Sequence, residues 1–272
     1  MARFLNILFV IGVVLFWVLM NGKLVMRELE IRSQETYQRG VREYLGPKLH
    51  RERWMGIYRN NRKIGHTGLI FDKQLSEEGD RHKMAIETDI TVDLFGKGKL
   101  ITVEGEVYTD VDMIPESLAL DVHIDEGMFQ IRGKRKEGKF VIRISSGGTK
   151  LFEIPLPLRE FSLTNGLTVD LPVSGFEVGQ SFTVSVFNPI LFQDGGLATI
   201  TVEEKTTRRM TSGLKVDCFR LSTKFQGQSS NSWVTADGEV IRQEVPQLGI
   251  VLVQEPKKTA RFLRLAREKK KD

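Results

Sequence analysis

The chain has 272 residues, 40% hydrophobic and 28% charged, and is long enough to bury a core without covalent staples. Its single cysteine, Cys218, excludes an internal disulfide framework and a cysteine-based metal cluster. The net charge of +5 is uneven: residues 257–272 hold eight Lys or Arg against Glu268 and Asp272, a net +6, so the remainder is at −1 and has no broad attraction for nucleic acid.

Residues Phe4 to Met20 form a run of 17 whose only polar side chain is Asn6. As a helix this run rises roughly 26 Å, near the minimum for a hydrocarbon core. No small-x-small cleavage site and no lipobox cysteine follow it, so 1–21 is expected to be an uncleaved transmembrane signal anchor. Arg3 precedes the run while Lys23, Arg27 and Arg32 follow it, a count that alone keeps the bulk in the cytoplasm. The bias is small, and a β-rich body behind one anchor is more often exported. The expected location is the bacterial inner membrane, single-pass, with the main domain in the periplasm.

Residues 22–47 lack proline until Pro47 and place Tyr37, Val41, Tyr44 and Leu45 at helical spacing, which predicts a helical stalk stopped at Gly46 and Pro47. From Trp54 the period changes to two. Strand-like runs such as "HKMAIETDITVDLF", "KLITVEGEVYTDVDM" and "KFVIRISS" follow one another through short turns, predicting an antiparallel meander of long, twisted strands. Residues 151–180 carry three prolines among apolar residues and are expected to form a covering loop. A second series runs from "SFTVSVF" to "GIVLVQE". The β domain is expected over 48–256, followed by a basic amphipathic tail at 257–272.

The opening hairpin, "WMGIYRNNRKIGHTGLIF", pairs an Asn60–Asn61 turn with Gly56 and Gly65, which leave room for a facing aromatic or a sharp bend. Together with "SFTVSVFNP", "TITVEEKTT" and "SWVTADGEVIRQEVPQLGIVLVQE", it resembles the domain ahead of bacterial transglutaminase-like cores, itself similar to the LolA-like superfamily of periplasmic lipoprotein carriers. The resemblance implies an all-β fold with minor α, a long curved antiparallel sheet forming an incomplete barrel whose concave face takes acyl chains. The transglutaminase core is absent, so no catalytic residue is carried over and no enzyme is expected.

Chemistry is sparse. His50, His66, His82 and His123 are scattered without ligand spacing and are expected at the surface or in turns, with no metal and no cofactor. Asp89 with Asp93, and Glu104 with Glu106, share strand faces and read as a solvated sheet surface rather than as paired acids. Cys218 alternates within "KVDCFRL" as a buried thiol. Candidate ligand-binding aromatics are Trp54, Tyr58, Phe187, Phe192 and Trp233, with ordinary core packing as their other reading. In "FNPILFQDGG" an apolar gate or a buried corner is expected. Arg261, Phe262, Arg264 and Leu265 are candidates for contact with a membrane surface, or belong to a solvated terminus.

The leading functional expectation is a membrane-anchored, non-enzymatic envelope protein that binds a lipid or lipidated partner in its concave sheet, with 151–180 and 187–196 as covers. Two others stay open: a structural or assembly subunit of an envelope complex whose interior is filled by its own side chains, and an accessory domain presenting substrate to a separate transglutaminase-like enzyme.

Overall fold

The computed structural model describes residues 50–74, 81–94, 97–111, 114–125, 127–157, 175–188, 193–225 and 227–263. The expected anchor at 1–21 and stalk at 22–47 lie outside them. Among the described residues no helix is long and apolar enough to cross a membrane.

Fourteen strands form one open antiparallel sheet. The first meander comprises β1 (His50–Arg59), β2 (Arg62–Gln74), β3 (Arg81–Leu94), β4 (Lys97–Thr109), β5 (Pro115–Ile124), β6 (Gly127–Lys136), β7 (Lys139–Ser146) and β8 (Thr149–Pro157). The second comprises β9 (Ser181–Asn188), β10 (Gln193–Arg209), β11 (Lys215–Phe225), β12 (Gln228–Thr235), β13 (Val240–Val245) and β14 (Ile250–Gln254). Spatially β1 pairs with β14, so the two meanders join through the first and last strands, with β8 and β9 left at the two edges. One short helix, α1 (Lys257–Ala260), follows β14.

Turn chemistry sets the registers. Asn60 and Asn61 have φ of 50° and 59°, as a two-residue hairpin turn requires, and Glu137–Gly138 repeats the pattern at 49° and 74°. The covering loop expected from residue 151 instead begins with a strand, because β8 includes "LFEIPLP". Its prolines are compatible with that position: an edge strand pairs on one side only, so a missing N–H need not break a ladder.

Alternation divides the sheet into a core face and an outer face. Two apolar clusters occupy the core face. One gathers Met55, Ile57 and Ile90 with Phe182, Ile200, Leu221, Val234 and Leu252, and the other gathers Leu69, Val103 and Val107 with Leu118, Ile131, Phe140 and Ile142. Close strand approach is built in by glycine. A Cβ on Gly133 would stand 2.5 Å from the Phe140 ring, and one on Gly105 would stand 2.0 Å from the Ala119 carbonyl oxygen.

Candidate functional site

The polar chemistry lies on the outer face. Residues directly opposite one another on paired strands share a face, and one transverse row runs Asp89, His66, Gly56, Val253, Arg242, Trp233, Arg220 and Glu204. Trp54 and Tyr58 flank Gly56 along β1, while Met55 and Ile57 point into the core. Three of the aromatics singled out in the sequence, Trp54, Tyr58 and Trp233, therefore stand on the face opposite the apolar clusters. Phe187 lies on β9, and its side chain and all of Phe192 fall outside the described set, as do Arg264 and Leu265; of the gate expected at 187–196, residues 189–192 lie outside the described residues, while 187–188 and 193–196 belong to β9 and β10.

Trp54 is buried beneath the C-terminal segment. The Lys257 ammonium lies 5.0 Å from its ring centroid and the Arg261 guanidinium 5.8 Å, while its Nε1 donates to Glu52 at 2.6 Å. Lys257 also donates to Glu52 at 2.7 Å, and that bond, ahead of the opposing effect of burial, holds the Glu52 carboxyl below its ordinary range. Beneath the indole, His66 stacks at 5.9 Å and contacts Glu87 through Nε2 at 3.1 Å; Glu87 Oε1 also meets Arg261 at 2.8 Å. His66 is fully buried, which corrects the surface or turn position expected for it. Its opposite neighbour Gly56 and the nearby Gly68 provide the space: a Cβ on Gly68 would sit 2.5 Å from the Trp54 ring, and one on Gly56 would meet the Glu255 carboxylate at 2.6 Å.

Asp89, expected to be solvated, is 3% exposed and accepts from Thr102 Oγ1 at 2.8 Å, because it lies directly between buried His66 on β2 and Thr102 on β4. Glu104 stays exposed, and Glu106 pairs with Lys83 at 2.5 Å. Among the described residues no three His, Cys, Asp or Glu side chains converge to hold a metal.

Beside the Trp54 stack, Glu255 is buried over the outer face of β1 and β2, above Gly56. It accepts from the Tyr58 hydroxyl and from Lys63 Nζ at 2.5 Å, and Lys63 also donates to the Thr259 carbonyl at 2.7 Å. Burial first, then the hydrogen bond and negative charge of Glu255, push the Tyr58 hydroxyl up to about 12. Sequence reading had no signal for this cluster, since Tyr58 and Lys63 meet a residue almost 200 positions later.

Trp233 packs with Cys218 and Ile241, lies under the Arg208 guanidinium at 4.2 Å, and has Arg242 at 6.0 Å. Cys218 is a buried free thiol, and desolvation pushes its pKa up, which disfavours a thiolate nucleophile. A cleft of about 420 Å³ opens over this part of the face, lined by Tyr58, Asn60, Asn61, Thr211, Arg242, Val251 and Val253. It shares Thr211, Arg242 and Val253 with a smaller recess whose other walls include Arg208 and Arg209.

Of the tail expected at 257–272, the described part begins with α1, where Ala260 is buried, Arg261 lies over Trp54 and Phe262 is 64% exposed. Arg261→Ala removes a cation–π contact and an ion pair at once. We expect hydrogen exchange of the 257–263 amides to accelerate at least tenfold, equivalent to about 1.4 kcal/mol of lost docking, whereas replacement of exposed Phe262 by Ser should leave exchange unchanged.

No family model matches the sequence, and no curated protein matches it. Among solved structures the chain is similar to a DUF1089 family protein from Pseudomonas aeruginosa, with a TM-score of 0.41 and 12% identity over 70% of this chain and 93% of that one.

Proposed function

We propose that the protein is a non-enzymatic structural or assembly subunit of the bacterial cell envelope, tethered at the inner membrane by 1–21, with its sheet curled as an incomplete barrel in the periplasm. The observation that carries this reading is the state of the core face. Val107, Phe140 and Ile142 are fully buried and Leu118 is 2% exposed, so the residues that would line a lipid hollow are already packed against one another. A LolA-like carrier needs that surface open to acyl chains. A filled interior instead directs partners to edges and the outer face. Edge strand β8 bears Leu151 and Phe152, 44% and 59% exposed, and among the described residues no strand pairs with its outer side, which another envelope protein's strand can extend.

Curling is supported by chain length. The connection from Pro157 to Phe176, which is buried against Phe219, spans 19 residues and reaches at most about 65 Å. In a flat sheet, eleven strand spacings of about 4.8 Å place β8 and β11 roughly 53 Å apart. A flat arrangement would demand a nearly straight connection, and curvature relaxes it.

The test is in-cell crosslinking of the full chain from Leu151 and Phe152, paired with native mass spectrometry of the purified protein. A discrete crosslinked partner and a lipid-free mass are expected. A stoichiometric lipid that disappears with Phe140→Asp would overturn the subunit reading in favour of a carrier.

A further inference from the structure

We propose that the outer-face cleft between the β1–β2 turn and the β10–β11 turn binds a small amphipathic organic anion: an acidic head, phosphate or carboxylate, on a compact apolar body. The floor consists of Val251 and Val253, which alternate with the core residues Ile250 and Leu252 and so face outward, half-buried. The Tyr58 ring forms one wall at the Asn60–Asn61 end. At about 420 Å³ the space falls within the range of small-molecule sites.

The charge pattern gives the ligand a direction. At the Tyr58 end Lys63 is already engaged by Glu255, and Arg59 and Arg62 beside the Asn60–Asn61 turn are not among the residues that line the cleft. At the other end three arginines, Arg208, Arg209 and Arg242, line the adjoining recess, which shares Arg242 with the cleft. Arg242 spends its Nε on Glu244 at 2.7 Å, leaving its two Nη groups for another acceptor. Arg208 lies over Trp233, and among the described residues neither Arg208 nor Arg209 forms an ion pair with a carboxylate. Guanidinium donors not committed to a carboxylate among the described residues, beside an apolar floor, match an oxyanion head by paired, charge-assisted hydrogen bonds, with the apolar body on the valines. Thr211 lines both recesses and is fixed there by donating its hydroxyl to the Gln254 carbonyl at 3.2 Å.

The proposal stands apart from the assembly role and is tested separately, on the full chain in nanodiscs with empty discs subtracted. The probe is 1-naphthyl phosphate, titrated calorimetrically against inorganic phosphate and 1-naphthol as its two halves. The ester is expected to bind at least tenfold more tightly than either half. Arg208→Gln with Arg242→Gln should weaken it at least tenfold, Val253→Glu should abolish binding, and exposed Arg209→Gln should give a smaller loss in a variant whose folding is least disturbed. Asp217→Asn, outside the cleft, should change nothing. Circular dichroism of each variant separates lost binding from lost fold. Tighter binding of either 1-naphthyl phosphate or 1-naphthoate supports the site and names its head group. Three results overturn it: no binding of either the ester or 1-naphthoate at 1 mM, binding unchanged by the arginine substitutions, or inorganic phosphate binding as tightly as the ester.

Discussion

Replacing Gly65 or Gly105 with alanine should each cost about 3 kcal/mol or more, while the same change at Gly98 should stay within about 0.5 kcal/mol. At Gly65 an added Cβ would lie 2.0 Å from the Asp89 carbonyl oxygen and 2.8 Å from Ile90 Cα; at Gly105 it would lie 2.0 Å from the Ala119 carbonyl oxygen and 2.7 Å from Leu120 Cα. In both cases the obstacle is the backbone of a paired strand, which cannot rotate away as a side chain can. Relief requires the strands to part and to give up ladder hydrogen bonds in the middle of the sheet. Gly98 differs because its nearest neighbour would be the Thr91 methyl at 3.7 Å, an ordinary contact. Urea unfolding followed by tryptophan fluorescence measures all three. Equal midpoints for Gly98→Ala and Gly105→Ala would refute the close approach of β4 and β5.

These glycines also mark how far the sequence could be read. The period-two runs and turn residues located the strands of both series except β8, and the Asn60–Asn61 turn was legible because two adjacent positive φ angles have few sequence solutions. For Gly56 and Gly65 the sequence offered a facing aromatic or a sharp bend, and the register irregularity between Ile57 and Tyr58 lies next to the pairing of Ile57 with Gly65. What faced Gly56 was not: a carboxylate from residue 255 rather than an aromatic fills that space, and the aromatic faces Gly68 instead. The pairing of β1 with β14 is the cause. It brings the two ends of the domain together, and no local periodicity encodes so distant a contact. The same pairing buries His66 and covers Trp54 with Lys257 and Arg261, so a histidine isolated in sequence becomes the centre of a packed polar cluster. β8 was missed for a different reason. Proline argues against a strand only where both neighbours require its N–H, and edge position is a property of the whole sheet.

Glu255→Ala should be the most damaging single change at this junction, with an expected loss of about 3 kcal/mol. The carboxylate is 3% exposed and the Lys63 side chain 16% exposed, so its removal strands a largely buried ammonium and deprives the Tyr58 hydroxyl of its acceptor. Lys63→Met with Glu255→Leu should recover most of that loss, since neither charge is then left unpaired, and a double-mutant cycle on urea midpoints isolates the coupling. Equal destabilisation by the single and double changes would deny the pair its role. Tyr58 adds a dependence on alkaline pH. Its hydroxyl ordinarily titrates near 10 but is held up to about 12 in the folded chain, chiefly by burial and then by Glu255. The folded state thus keeps the proton that the unfolded state gives up first. This contribution is complete below pH 10, declines as the pH rises between 10 and 12, and is gone once the folded hydroxyl has also ionised. Thermal melting temperatures should fall across that window in the parent protein, and the fall should be shallower in Tyr58→Phe, which has no proton to lose. Because Tyr58, Lys63 and Glu255 tie β1 and β2 to the residue that follows β14, the same alkaline change should loosen the 257–263 segment before the meanders unfold, visible as earlier loss of amide protection there than in β4 or β11.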